Sequence, residues 1–101
     1  MRMLLHARFP AEPFNTLVRK GEAGKILQRI VAELQPEAVY FTEEHGQRAA
    51  ILVVDVASPS DIPRKVEPFF LSFNADCHLK VVMSPEDLAQ AGLDELGKKW
   101  G

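Results

Sequence analysis

Two stretches of this sequence alternate between apolar and polar residues at every second position, which is the pattern of a β-strand with one face in a core. The stretches are Met1–Phe9 and Cys77–Met83. Their apolar faces consist of Met3, Leu5, Ala7 and Phe9 in the first and Cys77, Leu79, Val81 and Met83 in the second. The opposite faces carry titratable and cationic groups, namely His6 and Arg8 in the first and His78 and Lys80 in the second. If the strands are neighbours in one sheet, these four groups share a surface that is either solvent-exposed or the wall of a ligand pocket.

The rest of the chain predicts the element order strand, helix, strand, strand, helix, strand, helix. Pro10 and Pro13 end the first strand and lead into a helix, because proline is tolerated in the first turn of a helix. Apolar residues then recur at helical spacing as far as Leu34. Gly21 and Gly24 are expected to interrupt this helix, since each glycine costs about 1 kcal/mol relative to alanine in a helix interior.

A β-hairpin is predicted next. The strands Ala38–Glu44 and Arg48–Ala57 flank the turn His45-Gly46-Gln47, in which Gly46 can take a positive φ. The centre of the second strand, AAILVVDV, is apolar on both faces. This pattern is typical of a central strand that is covered on both sides.

Two similar segments are predicted to begin helices. Ser58-Pro59-Ser60-Asp61 and Ser84-Pro85-Glu86-Asp87 each place a serine cap before a proline, with an acid three residues after the cap. The first helix is expected to end at about Phe73, and the second to run through the end of the chain. The apolar residues expected to pack are Ile62, Val66, Phe69, Phe70 and Phe73 in the first helix and Leu88, Leu93, Leu96 and Trp100 in the second.

The order βαββαβ predicts an α+β, ferredoxin-like fold in a single domain over residues 1–101, with a core over 1–83 and a C-terminal helix over 84–101. Right-handed crossovers give a four-stranded antiparallel sheet in the order 4-1-3-2, with both helices of the core on one face. The other face is too apolar to lie entirely in water. On it we place Leu4, Tyr40, Leu52, Val54 and Val82. We therefore predict a homodimer, a dimeric α+β barrel, in which the open faces of two sheets meet.

Composition and charge exclude several classes of protein. The 101 residues are 47% hydrophobic and carry a net charge of −2, so there is no basic surface typical of nucleic-acid binding. No apolar run approaches the roughly 18 residues that span a bilayer, and we expect no membrane partner. The N-terminus reads as a strand rather than a signal peptide. The single cysteine, Cys77, cannot form an internal disulfide, and the cytoplasm is the expected compartment.

The order of elements and the end of the chain resemble the dimeric α+β barrel superfamily, which includes antibiotic-biosynthesis monooxygenases and muconolactone isomerases. The closest resemblance is to small bacterial proteins of unknown function in that group. It rests on Phe73-Asn74-Ala75-Asp76 followed by Val82-Met83-Ser84-Pro85-Glu86-Asp87-Leu88, and at fold level it covers almost the whole chain. The resemblance implies a small organic ligand between the paired sheets. It transfers no reaction, because Trp100, the only tryptophan, lies at the end of the chain rather than in an Asn/Trp/His set like that of the monooxygenases.

The candidate site lies on the sheet face away from the helices. His6 and His78 are the candidate catalytic residues, because an imidazole can take up or release a proton near neutral pH. Arg8 and Lys80 can bind a substrate carboxylate or an enolate oxygen.

Three residues of the second predicted strand complete the candidate ligand-binding set. By alternation, Tyr40, Thr42 and Glu44 face the same side as the histidines. The alternative is that the whole set is exposed or lies in the dimer interface in ordinary pairs, such as Arg8 with Glu44.

Other residues are expected to be structural. Asp55 lies in an apolar strand and is expected to pair with Arg64 or Lys65, because a buried carboxylate needs a partner. Cys77 faces the core and is expected to be an inert thiol. The segment Gly21–Lys25 lacks the spacing of a phosphate-binding loop. The three histidines do not have metal-site spacing, and no motif for a cofactor is present.

Two hypotheses of function follow. In the first, the dimer binds a small carbonyl or carboxylate compound between its sheets and acts as a cofactor-independent isomerase or oxygenase. In the second, it is a non-catalytic dimeric module that senses a ligand or has a structural role. An open cavity around His6 and His78 favours the first, and a space filled by side chains favours the second.

Overall fold

The computed structural model describes all residues from 1 to 101. Its strands are β1 (Arg2–Phe9), β2 (Ala38–Glu44), β3 (Gln47–Asp55) and β4 (Asp76–Val81). Its helices are α1 (Ala11–Arg19), α2 (Ala23–Leu34), α3 (Ile62–Phe73), α4 (Pro85–Gln90) and α5 (Leu93–Trp100), with a 3₁₀ turn at Pro59–Asp61. The strands form one antiparallel sheet in the order β2-β3-β1-β4, with β2 and β4 at its edges. This is the predicted order read from the opposite edge, and the α+β, ferredoxin-like fold with a helical C-terminal segment is confirmed.

Helices α1, α2 and α3 cover one face of the sheet and bury a shared core. Leu5, Phe69 and Phe73 are almost completely enclosed in it. The rings of Phe9 and Phe14 have centroids 5.2 Å apart, and those of Phe14 and Phe73 are 4.7 Å apart. Aromatic pairs at such distances add about 0.5–1.5 kcal/mol beyond the burial of their surface. The cluster therefore fixes α1 and α3 against β1.

Of the two glycines expected to interrupt the first helical region, Gly21 does so, whereas Gly24 lies inside α2. Helix α1 ends at Arg19 and α2 begins at Ala23. Between them Gly21 has a φ of 72°, a conformation that glycine adopts without steric cost. The first helical region therefore consists of two short helices rather than one long one.

Strand β3 presents the opposite face from the one predicted. Leu52 lies opposite Leu5 in the ladder, and cross-strand partners share a face. Leu52 and Val54 are therefore beneath the helices, each only 1% exposed. Ile51 and Val53, both partly buried, occupy the open face instead. Because β3 is apolar on both faces, alternation alone could not decide its orientation, and only its register with β1 does.

Two further predictions, the ion pair of Asp55 and the burial of Phe70, are also wrong. The carboxylate of Asp55 meets the amino group of Met1 at 3.0 Å rather than Arg64 or Lys65. The register explains this, because Arg2 lies opposite Asp55 and so brings the chain terminus to the end of β3. In α3, Phe70 is 39% exposed and does not belong to the core.

The C-terminal helix predicted over 84–101 is divided into α4 and α5. Its start is capped as expected: Asp87 N donates to Ser84 Oγ at 3.1 Å, and Ser84 N donates to Asp87 Oδ2 at 3.0 Å. Gly92, with a φ of 72°, separates the two helices. A glycine in mid-helix favours such a break, although Gly97 lies within α5 without breaking it.

Residues 84–101, here called the C-terminal arm, project from the rest of the chain. No residue of α4 or α5 is buried. The radius of gyration is 17.1 Å, whereas a compact chain of this length has about 13 Å. The longest dimension is 60 Å, against 28 Å and 19 Å for the other two. None of the helices combines the length and hydrophobicity needed to cross a bilayer.

Candidate functional site

A row of four side chains crosses the open face of the sheet, one from each strand. Tyr40 lies opposite Ile51, Ile51 opposite His6, and His6 opposite His78. Residues directly opposite one another have Cβ atoms about 4.5–5.5 Å apart. Strands β1 and β4 are neighbours, so the register places the two imidazoles side by side at the level of Ile51.

The open face forms a shallow concavity of about 480 Å³ around the two histidines. Leu4 and Ile51 form its apolar wall. The other lining residues are His6, Arg8, Glu44, His78 and Lys80. The volume lies within the range of small-molecule sites, about 300–1,000 Å³, and a mixture of apolar walls and few polar groups is typical of them.

The most intimate polar contact in the concavity joins His6 and Glu44. His6 Nε2 and Glu44 Oε2 are 2.5 Å apart. The imidazole nitrogen is nevertheless buried without an aligned hydrogen-bond partner. The carboxylate oxygen therefore lies close to the ring but off the line of an Nε2–H bond, so the contact is ionic only when the imidazole is protonated.

This contact requires a strongly curved hairpin. Tyr40 is level with His6, and Glu44 lies four positions further along β2, two strands away. In a flat sheet their Cα atoms would be about 16 Å apart, which is more than the two side chains can span. The end of the β2–β3 hairpin therefore bends over the open face and forms one side of the concavity.

Arg8 contributes a second buried nitrogen. Its Nη2 donates to Gln47 Oε1 at 2.9 Å, whereas its Nε is buried without a partner in the protein. The pair of Arg8 with Glu44, named as an example in the alternative interpretation, is not formed, because Glu44 contacts His6 instead. A buried donor without a partner costs about 1–3 kcal/mol, more when it is charged, so the concavity holds polar groups that an added acceptor would satisfy.

Tyr40 and Thr42 lie on the predicted face but outside the concavity. Tyr40 is 69% exposed, and the edge position of β2 leaves it without a neighbour on its outer side. Thr42 Oγ1 donates to the carbonyl oxygen of Glu43 at 3.3 Å. The structure thus brings together His6, Arg8, Glu44, His78 and Lys80, and it does not bring Tyr40 or Thr42 to them.

Three residues of the site were not among the predicted ligand-binding residues. Leu4 and Ile51 line the concavity, and Gln47 holds the guanidinium of Arg8. The alternation of β1 already placed Leu4 on the open face, two residues before His6, without assigning it to the ligand. Ile51 and Gln47 become recognisable only from the register of β3 with β1.

A larger groove, of about 780 Å³, lies between α2 and α3. Its polar lining consists mainly of long charged side chains, including Arg29, Glu33, Arg64 and Glu67. These side chains face water and carry no buried nitrogen without a partner. We therefore assign the candidate site to the smaller concavity, where titratable and cationic groups converge on an apolar wall.

The remaining candidate groups do not add to the site. Cys77 lies opposite Ala7 on the helix-covered face. Burial, with a smaller effect from Asp76, raises the pKa of the Cys77 thiol to about 11. No three His, Cys, Asp or Glu side chains are grouped in the way that metal ligands are.

No protein-family model matches the chain, and no curated protein matches it significantly. Among solved structures, the crystal structure of protein Atu4242 from Agrobacterium tumefaciens is similar at 16% identity, with a TM-score of 0.39. The similar region covers 84% of this chain and 98% of that one.

Proposed function

We propose that this chain is a homodimeric α+β barrel protein that binds a small, partly apolar carboxylate or carbonyl compound between its two sheets. The observation that supports this most directly is the pair of buried nitrogens, His6 Nε2 and Arg8 Nε, which lack aligned partners. They lie in a concavity that also has an apolar wall. Buried polar groups without partners are uncommon in folded proteins. An anionic or carbonyl oxygen would accept a hydrogen bond from Arg8 Nε, and an unprotonated His6 Nε2 offers a lone pair to a hydrogen of the ligand.

The dimer is supported by the open face itself. Helices cover one side of the sheet, and the other side presents the partly buried Leu4, Ile51 and Val53 among polar groups. Such a face is covered in most proteins by another layer of structure. A second copy of the same sheet is a layer with matching curvature, and it would convert the concavity into an enclosed space.

The residues suit proton transfer next to a carbonyl group. In the proposed reaction, His6 Nε2 removes a proton from the carbon beside the carbonyl of the ligand, and the resulting enolate oxygen is stabilised by Arg8. The imidazolium returns the same proton to the γ carbon of a ligand that has a β,γ double bond, and that double bond moves into conjugation with the carbonyl. The reaction is therefore an isomerisation that consumes no cofactor, oxidant or reductant, and His78, beside His6, is the second candidate for the proton carrier.

A non-catalytic module for ligand sensing or structure is the second candidate function. The observation that favours it is the carboxylate of Glu44, which already occupies part of the space at His6. In this view Glu44 and His6 form a structural contact, and any ligand acts by displacing it.

Three measurements test the proposal. Light scattering over a dilution series is expected to give twice the chain mass of 11.3 kDa, and a persistent monomer would overturn the barrel. NMR of the imidazole protons on addition of benzoate and of its neutral counterpart acetophenone is expected to show shifts at His6 and His78 but not at His45. If neither probe shifts the signals of His6 and His78, binding at this face is contradicted.

The third measurement is the exchange of the acetophenone methyl protons in D₂O. If the protein accelerates this exchange and His6→Asn abolishes the acceleration, the result supports the enzyme. Binding without exchange supports the non-catalytic module.

A further inference from the structure

The C-terminal arm has an apolar side that its own chain leaves uncovered. Leu88, Leu93, Leu96 and Trp100 are 42%, 56%, 43% and 77% exposed. In α5 the last three recur at helical spacing, and the charged residues occupy the opposite side. Helices as short as α5 are not stable alone in water. The arm therefore needs a partner surface for its apolar side.

The arm begins at the border of the open sheet face. Val82 N donates to the carbonyl oxygen of Arg2 at 3.2 Å, which extends the pairing of β4 with β1 beyond the end of β4. Arg2 alternates with Leu4 and so belongs to the open face. Arg2, Val82, Met83 and Asp87 line a common depression at this border. A molecule that covers the open face therefore also meets the base of the arm.

The open face alone offers less area than a dimer interface of standard size. Four strands about 4.8 Å apart, with about seven residues each, present roughly 440 Å². A stable interface buries about 800 Å² on each partner. The exposed parts of the four apolar side chains of the arm supply roughly 400 Å² more. The sheet face and the arm together reach the usual size, whereas neither does so alone.

We propose that the arm of each protomer docks, through Leu88, Leu93, Leu96 and Trp100, on the second copy of this chain. The inference rests on the dimer of the proposed function and adds to it the surface that completes the interface. In a two-fold dimer the same contact is made twice, so the exchange is reciprocal and the assembly closes with both arms used.

Trp100 reports on this contact directly, because it is the only tryptophan. The intact protein is diluted through its dimer–monomer transition, which light scattering follows, and the tryptophan emission is recorded at each concentration. We expect emission at short wavelength in the dimer and a shift to longer wavelength on dilution, with the same midpoint as the change in mass. A dimer with water-exposed Trp100 emission overturns arm docking and leaves the sheet-to-sheet dimer standing. Shielded emission in dimer and monomer alike shows the arm packed on its own chain and also overturns it. A monomer at every concentration removes both the dimer and the docking.

A matched pair of variants separates the apolar side of the arm from its helical structure. Leu93→Gln with Leu96→Gln places two amides on the apolar side of α5, and Asp94→Gln with Glu95→Gln places two amides on the polar side. The first double variant is expected to raise the dimer dissociation constant at least about tenfold, and the second less than about threefold. Equal effects of the two would contradict docking through the apolar side.

Discussion

His6 Nε2 and Glu44 Oε2 lie 2.5 Å apart although their strands are separated by β3. The contact exists because the end of the β2–β3 hairpin bends over the open sheet face. It places a negative charge beside the nitrogen to which we assign proton transfer. Glu44 therefore controls both the charge of the concavity and the space available in it.

Glu44→Gln is expected to strengthen the binding of benzoate about three- to tenfold. Removing one negative charge about 4 Å from a bound carboxylate is worth about 1 kcal/mol in a concavity that is open to bulk water. Calorimetric titration measures the change. Glu43→Gln, one residue away on the other face of β2, is the control and should leave the affinity within about twofold. A weaker affinity in Glu44→Gln would show that Glu44 holds the ligand or positions His6, rather than competing for it.

His6→Asn and His78→Asn are expected to leave the fold and the mass intact and to weaken benzoate binding. The loss of a charged or hydrogen-bonding partner costs about 1.5–3 kcal/mol, or roughly ten- to a hundredfold in affinity. His45→Asn is the matched control, since His45 is exposed in the hairpin turn with a φ of 51°, which asparagine tolerates. Unchanged binding in both site variants would leave only a structural role for the histidines.

Phe73→Ala is expected to lower the free energy of unfolding by about 3–5 kcal/mol, because it leaves a cavity beside Phe9 and Phe14 in the core. Phe70→Ala, in the same helix but partly exposed, should cost less than about 1.5 kcal/mol. Urea unfolding followed by circular dichroism gives both values. Similar losses in the two variants would contradict the orientation of α3.

The thiol of Cys77 is expected to react slowly with iodoacetamide in the native protein. Its pKa is raised from 9.0 to about 11 by burial, so at pH 7.5 the reactive thiolate is about 100-fold less populated than in the unfolded chain. The reaction should accelerate as the pH rises through 9 and 10, and in urea at pH 7.5. Rapid, stoichiometric labelling of the native protein at pH 7.5 would place Cys77 outside the helix-covered face.

The contrast between apolar and polar residues decides how much of the sheet could be predicted. In β1 and β4 one face is apolar and the other carries His6, Arg8, His78 and Lys80, so alternation identified the open face of both strands. In β3 both faces are apolar, and the side taken by Leu52 depends on pairing with a strand more than forty positions away in sequence. In a strand with one apolar face, hydrophobic burial decides which residues point into the core. In a strand with two apolar faces, only the register with the neighbouring strand decides which face points into the core.

The contact between His6 and Glu44 lay beyond sequence reasoning for a different reason. Alternation correctly placed Glu44 on the open face, and a flat sheet then puts it near Gln47 and far from His6. Curvature arises from the twist of the whole sheet and from its packing on the helices, and no local pattern encodes it. The break at Gly92, in contrast, has a local cause in the glycine, although Gly97 lies within α5 without breaking it.

The position of β2 at the edge of the sheet has a consequence for misassembly. Both edge strands present unpaired backbone groups, to which a strand from another chain can add. Strand β4 is short, and its alternate residues are charged or titratable, which discourages such addition. Strand β2 instead exposes Tyr40 and Phe41 at its centre and carries acids only at its hairpin end. Growth of the sheet would therefore start at β2, and a straight incoming strand would flatten the hairpin and pull Glu44 away from His6, so that aggregation and loss of the site would begin with the same movement.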